Sequence, residues 1–367
     1  MFVGISLLLS PGACSDDAPS MMASTGGSGP VGSTSGVEVT GVSSGAGSTA
    51  DTADTAEVAD DTTGTTTSGG PPTGGWETRA SLLGGPRQET GVVALDGEVY
   101  VLGGFGAAGA LSAQVEVYDP VTDTWRETAP LPQPLHHANA AAVGGRLFVA
   151  GYLVGLSFAA EGEVLVYDPA TDAWSTVTGM PTGTERGASG VAVYDDRIYL
   201  FGGFRGGALD DVWAYDVSLD LWDVGAELPG PRDHLVAETI GDRIYVVGGR
   251  NAAIDSHTNQ LSIYDPATDT WEEGPSMPTS RGGMMAAVVD GRLFVAGGEG
   301  NAGADSGVFE QFEVYDPAAG TWLTLEPMPT PRHGTGAAAV GDVFYVPGGA
   351  TVEAFGAVPV HEAWVLD

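Results

Sequence analysis

One phrase recurs along this chain and locks its phase. Val117–Trp125, Val166–Trp174 and Ile263–Trp271 all read aliphatic-Tyr-Asp-Pro-x-Thr-Asp-x-Trp. Tyr118-Asp119, Tyr167-Asp168, Tyr215-Asp216, Tyr264-Asp265 and Tyr315-Asp316 stand at one fixed interval before Trp125, Trp174, Trp222, Trp271 and Trp322, giving a Trp period of 48 to 51 residues. Glycine pairs keep the same phase at Gly103, Gly202, Gly248, Gly297 and Gly348, and sixteen residues before each is an arginine: Arg87, Arg186, Arg232, Arg281 and Arg332. A chain so written must fold as copies of one supersecondary unit, each burying its apolar faces against the next.

The unit reads as four strands. In the first copy, alternating Val92–Leu95 ends in Asp96-Gly97, a two-residue hairpin signal. Val99–Leu102 follows and stops at the glycines; a third strand ends at Tyr118-Asp119, and Pro120 turns the chain into a fourth carrying Trp125. The abundance of Gly (57) and Pro (23) suits short strands and tight turns rather than helices. Counting ends gives the number of units. The last copy stops at Asp367 before a fourth strand, and Trp76 precedes Arg87 with no strands ahead of it. The surplus at the front fills the deficit at the back, so six units close into a ring without exposed sheet edges.

This combination of Arg, Gly-Gly, Tyr-Asp and Trp resembles the kelch repeat, whose unit forms one propeller blade. The resemblance covers residues 76–367 and implies an all-β, six-bladed kelch-type β-propeller closed by an N-terminal outer strand. It also implies that the repeated arginines are structural, binding backbone carbonyls between blades. Blade 2 departs from the pattern, with Leu135 in the arginine slot and Gly151-Tyr152 in place of Gly-Gly, which reads as decay with local repacking.

Ahead of the repeats, the apolar run 2–9 ends in Ser10-Pro11-Gly12-Ala13-Cys14. It is too short to span a bilayer and reads as an export signal. Cys14 resembles the lipidated cysteine of bacterial lipoproteins, although Pro11 replaces the usual aliphatic residue and a basic n-region is missing. Residues 15–75 contain no aromatic, Leu, Ile or basic residue, and the expectation is a disordered, acidic, Gly/Ser/Thr-rich tether. An extracytoplasmic, lipid-anchored monomer follows as the expected setting, its only membrane contact the anchor.

Charge excludes some partners. All 13 basic residues are arginine against 48 Asp and Glu, a net of −35, so nucleic acid is rejected. Without lysine there is no Schiff base, and one cysteine allows no internal disulfide. Copper oxidases with kelch blades need a Tyr–Cys crosslink, which Cys14 in the leader does not supply. Gly104–Gly109 and Gly298–Gly303 match GxGxxG but lead into strands, not helices, and are rejected as nucleotide loops. No cofactor is assigned.

The two rims of a propeller differ in sequence. One carries short acidic turns, such as Asp96, Asp119 and Asp123, whose expected role is to cap their own backbone. On the other the copies diverge: from the second glycine to the Tyr slot there are 12 residues in blade 3 but 17 in blade 5. All six histidines (His136, His137, His234, His257, His333, His361) fall in these loops or where the first strand of a blade begins. Two register slots are expected to face the channel here. The slot after the glycines holds Phe105, Leu153, Phe204, Arg250, Glu299 and Ala350; the slot two beyond the arginine holds Glu89, His137, Ala188, His234, Gly283 and Gly334. Chemical variety at repeated positions marks a binding site rather than framework. The expected ligand residues are Glu89, Phe105, His137, Phe204, Arg205, His234, Arg250 and Glu299, with Glu89, His137, His234 and Glu299 as catalytic candidates.

The function expected at this point is a non-catalytic recognition or scaffold module that binds a protein or glycan through this rim; the alternative is a carbohydrate enzyme, since exported kelch propellers include a six-bladed sialic-acid mutarotase. Eukaryotic kelch adaptors grip acidic peptides through arginines, whereas this rim offers only Arg205 and Arg250. Glu89, His137 and His234 form a conceivable two-His, one-carboxylate metal set, although satisfied loop histidines are commoner. Convergence of the polar residues within about 8 Å of a pocket favours the enzyme; a splayed channel favours the binder.

Overall fold

The computed structural model describes residues 70–367; the leader with Cys14 and the tether as far as residue 69 lie outside the described residues. The described chain forms six four-stranded antiparallel sheets in sequence order, the six blades of a propeller. Strands are lettered a to d from the channel outwards. Blade 1 consists of Gly91–Leu95, Glu98–Leu102, Val115–Asp119 and Thr124–Glu127, each paired with the next.

Successive side chains along the middle strands are buried alternately against the blades on either side, so the core is divided into six clusters rather than one. Between blades 1 and 2, for example, Tyr100, Leu102 and Val115 pack on Leu147, Val149 and Leu165. Between blades 6 and 1, Tyr345 and Ala363 meet Val99 and Tyr118. Each fully buried side chain of this kind contributes roughly 1.5–3 kcal/mol.

Repeated polar residues tie the blades together. Trp125 Nε1 donates to the Ala80 carbonyl at 2.7 Å, and Trp174, Trp222, Trp271 and Trp322 make the same reach to Ala129, Thr178, Ala226 and Pro275. The second aspartate of the repeated phrase works beside them. Asp123 accepts from its own blade's Tyr118 hydroxyl at 2.7 Å and from the Ala80 amide at 2.8 Å. The kelch arginines act differently from expectation: their guanidinium groups bind within one blade. Arg87 reaches the Gln114 carbonyl at 2.9 Å and pairs with buried Glu116; Arg186, Arg281 and Arg332 pair likewise with Asp211, Glu313 and Glu362. It is their backbone carbonyls that link blades, accepting the amide of the preceding blade's second glycine, as Arg232 does from Gly203 at 2.9 Å. In blade 2, where that glycine is missing, Asn139 Nδ2 takes over and donates to the Arg186 carbonyl at 3.0 Å.

The ring closes at its ends. Gly74–Thr78 is strand d of blade 6 and pairs with His361–Leu366, so the ordered fold begins two residues before the Trp76 start read from the sequence. Trp76 lies opposite Trp364, which fills the Tyr slot, and its indole donates to the Glu326 carbonyl at 3.1 Å.

Candidate functional site

The channel is lined by strand a of every blade, and at one end each strand is preceded by a left-handed residue. Glu89, His137, Ala188, His234, Gly283 and Gly334, one per blade, have φ between 50° and 66°. This bend turns their amides and carbonyls along the circumference, where they form a closed collar. His137 N donates to Glu89 O at 3.0 Å, Ala188 N to His137 O at 3.1 Å, His234 N to Ala188 O at 2.9 Å, Gly283 N to His234 O at 2.9 Å and Gly334 N to Gly283 O at 3.2 Å; Glu89 N completes the circle on Gly334 O. Four of the six are not glycine, and holding each of those in this conformation costs about 1 kcal/mol.

The collar delivers polar side chains to one point. Glu89 Oε2 lies 3.0 Å from His137 Nε2, which lies 2.9 Å from His234 Nε2. Arg250 Nη2 reaches His234 Nε2 at 3.1 Å and pairs through Nη1 with Glu299. His333 Nδ1 is 3.4 Å from Glu299 Oε2 and 3.9 Å from Glu89 Oε1, closing a circuit to which blade 3, with Ala188, adds nothing. Behind the circuit, His136 Nδ1 faces His137 Nδ1 at 2.5 Å, and Asp233 Oδ1 holds both His234 Nδ1, at 2.5 Å, and Arg250 Nε, at 3.2 Å.

Burial sets the protonation. It raises Glu89, but the charge and hydrogen bond of His137, with His333 and His234 behind it, outweigh that and hold the carboxyl well below the usual range. Asp233 is lowered in the same way: burial opposes, and His234 and Arg250 prevail. Burial, reinforced by Arg250, lowers His234 despite Asp233. Burial, then His137, pushes His136 down to about 4. The floor thus holds three carboxyl groups, those of Glu89, Asp233 and Glu299, against one guanidinium.

Above this floor is a cavity of about 150 Å³, walled by Phe105, Phe158, Phe355 and Ile254. Phe105 stacks on His136 at 4.3 Å between centroids and meets Phe355 edge-on at 5.3 Å. Below the floor, inside the ring, lies a channel cavity of about 210 Å³, also bounded by Glu89, His137 and His234. Its walls are mostly Ala, Val, Gly, Thr and Ser, with Leu235 and Met284, interrupted by Glu238, whose carboxyl is pushed up to about 8 by burial.

Of the residues expected to bind, Glu89, Phe105, His137, His234, Arg250 and Glu299 come together here. Phe204 and Arg205 do not line the cavity: the short loop of blade 3 turns Arg205 outward onto the Gly183 carbonyl. His361 opens strand c of blade 6, and its buried ring packs on Tyr118 and Trp125 rather than in a rim loop. Asp233, His136 and His333 were missed. All three occupy the slot directly after the arginine, which is as varied as the two chosen: Gln88, His136, Gly187, Asp233, Gly282, His333. Phe158 was missed too. Blade 2 is more than decayed, because its strands b and c run on as Arg146–Val154 and Ala159–Asp168 and their hairpin carries Phe158 over the cavity.

Comparison with known proteins gives one consistent answer. The Kelch motif model matches residues 86–132, and the KLHDC2/KLHL20/DRC7 Kelch-repeats domain model matches residues 178–349. Kelch-like protein terF of Aspergillus terreus is 34% identical over 311 residues, covering 79% of this chain and 68% of that protein. Kelch-like protein 35 of Mus musculus is 32% identical over 160 residues, but the match spans only 26% of its length. Among solved structures, that of YjhT superposes with a TM-score of 0.64 at 16% identity, covering 75% of this chain and 94% of that one, a likeness of fold.

Proposed function

The chain belongs to the kelch-repeat β-propellers, and from that premise we propose that it is an acid–base enzyme acting on a small, uncharged hydroxy-carbonyl compound of the sugar class. One observation carries the reading: reactive atoms of Glu89, His137 and His234 lie within 4.8 Å of one another on the floor of an aromatic-walled cavity. General acid–base chemistry needs that convergence within hydrogen-bond reach of the substrate. At about 150 Å³ the cavity is below the ≈ 300–1,000 Å³ of drug-sized sites and suits one small ring rather than a peptide. Because Asp233 and Glu299 already hold Arg250, the floor offers no free guanidinium among the described residues for a substrate carboxylate. That disfavours sialic acids and favours neutral sugars, with ring faces on Phe105, Phe158 and Phe355.

The test is one-dimensional exchange NMR on a panel of neutral and acidic reducing sugars with the full chain. Accelerated anomeric or epimeric exchange of a neutral sugar is expected, lost in Glu89→Gln and weakened at least tenfold in Phe158→Ala. No acceleration for any neutral sugar overturns the proposal. Recognition of a protein on the same rim is the second reading, supported by the exposed apolar lip of Leu156, Val352 and Phe355; peptide-library binding that survives Glu89→Gln selects it. The setting we propose remains the cell envelope, anchored through Cys14, and intact-mass analysis of membrane-fraction protein is expected to show a diacyl adduct there.

A further inference from the structure

We propose that Glu89, His137 and His234 bind one divalent transition-metal ion at the mouth of the channel. The argument is an accounting of hydrogens. His136 Nε2 lies 3.0 Å from the Gly155 carbonyl, which can only accept, so that nitrogen carries the proton. The neutral ring then presents a lone pair at Nδ1, and His137, 2.5 Å away, must donate from its own Nδ1. In the neutral ring its Nε2 is left bare, whereas a charged ring would donate from it to Glu89. His234 donates from Nδ1 to the Asp233 carboxylate at 2.5 Å, so its Nε2 is bare as well. These two nitrogens face each other at 2.9 Å, with Glu89 Oε2 at 3.0 Å from the first.

Three electron-pair donors turned on one another repel unless they share a cation. Of the described residues only Arg250 brings a hydrogen-bond donor to this group, and it reaches His234 alone. The orientation of each ring by a partner on its far nitrogen is the arrangement that metal-binding histidines require. Nearby, the buried Nδ1 of His333 has no hydrogen-bond partner among the described residues and points at the carboxylates of Glu299 and Glu89, so further polar capacity is unspent at the same spot.

The spacing selects a coordination geometry. Donors at right angles around an ion with bonds of about 2.1 Å stand about 3.0 Å apart, whereas tetrahedral donors stand about 3.4 Å apart. Separations of 2.9 and 3.0 Å therefore match adjacent positions on an octahedral or square-based ion, with the third pair, Glu89 and His234, within 4.8 Å across it. Two imidazoles and one carboxylate suit Fe(II), Co(II), Ni(II) or Cu(II) and leave positions open towards the cavity. The ion would use the same three side chains as the proposed acid–base chemistry, so a bound ion and free acid–base groups are alternatives at one site, and the ion would bind whether or not a sugar is turned over.

The experiment uses the untagged full chain, stripped with EDTA and titrated with Co(II), Ni(II) and Zn(II) by calorimetry. Visible spectra of the Co(II) form and electron paramagnetic resonance of a Cu(II) form accompany it. One equivalent per chain is expected, with Co(II) and Ni(II) tighter than Zn(II) and two imidazole nitrogens resolved on Cu(II). Glu89→Gln, His137→Ala and His234→Ala are each expected to lose binding. Asp233→Asn, which touches no ion, is expected to bind about 10–100-fold more weakly. His257→Ala, whose ring bonds Ser280 and Gly300 away from this group, should bind as the parent does. Absence of stoichiometric binding, or affinity equal to the parent's in the Glu89→Gln and His137→Ala chains, overturns the proposal and leaves a shared proton as the cation. Binding without turnover of any sugar supports the metal site and sinks only the activity; turnover without binding does the reverse.

Discussion

The two rims of this propeller are built from the same six-fold repeat and put it to opposite uses. On the rim of the a–b and c–d turns, most blades make the same bond: Tyr118, Tyr167, Tyr215 and Tyr264 donate to the aspartate five residues on, at 2.6 to 2.8 Å. At the other end, the backbone collar repeats with equal strictness, yet the side chains it presents are Glu, His, Ala, His, Gly and Gly. Where side chains make the interblade bonds, the sequence varies little from blade to blade. Where backbone makes them, side chains are free to differ, and there the reactive groups collect.

The largest effect should come from breaking the ring that both rims share. Removing residues 74–82 takes away strand d of blade 6 and the Trp76 indole bond. With about 2–4 °C per kcal/mol for a domain of 150–250 residues, loss of several kcal/mol should lower the melting temperature by more than about 10 °C. Removing residues 15–69 should hardly move it. Equal melting temperatures for the two truncations contradict closure by this strand.

Between the rims, Glu238 in strand a of blade 4 meets the channel alone, and burial pushes its carboxyl from 4.5 up to about 8. The sign follows from linkage. Below pH about 4.5 the group is protonated in both states and its burial carries no ionisation cost. As pH rises to 8 the unfolded chain ionises first, and stability falls by at most about 1.4 kcal/mol per unit, then levels off. Glu238→Gln should therefore match the parent near pH 4 and exceed it by about 2–4 kcal/mol at pH 9. Parallel pH–melting curves for the two chains would show that the carboxyl is not held neutral.

How much of this was legible follows from what periodicity can encode. Arg87, Gly103, Tyr118 and Trp125 stand in a register fixed along the chain, so blade, ring and closure could be read from spacing alone. The collar slot could be read too, because Gly283 and Gly334 share it with Glu89, His137 and His234. What spacing does not carry is distance across the channel. His137 and His234 are 97 residues apart and touch, while Arg205, a neighbour of the chosen slot, turns away because its loop is short. Asp233 and His333 were hidden by lying next to arginines already explained by framework, and Phe158 by belonging to the one blade that breaks the pattern.

A smaller break should separate clamp from site. Asp220→Ala removes acceptors for the Tyr215 hydroxyl at 2.6 Å and the Thr178 amide at 2.9 Å. The Thr178 amide lies near solvent but Tyr215 is buried, so a loss of about 1–3 kcal/mol is expected in urea unfolding, with no change in metal or sugar binding. Blade 5 carries Gly320 at this slot and remains a complete four-stranded blade, so the loss should be survivable. His137→Ala on the opposite rim should abolish binding, and because it strips the buried Glu89 carboxyl of its partner it should cost stability as well.

The smallest expected effect is a gain. Ala188 sits in the collar at φ 54° and offers the site only a methyl group, whereas Gly283 and Gly334 occupy the same slot at 65° and 66°. Glycine reaches this conformation without the Cβ clash that costs an L-residue about 1–2 kcal/mol, but it also loses more entropy on folding. The difference leaves Ala188→Gly more stable by about 0.5–1 kcal/mol, with every ligand affinity unchanged. The converse, Gly334→Ala, is not a mirror image: its new Cβ would stand 2.6 Å from Glu89 Oε1 as well as at φ 66°. It should lose stability and also displace Glu89, weakening whatever binds there. Should Ala188→Gly destabilise the protein, or Gly334→Ala leave binding intact, the collar is not what sets the positions of these side chains.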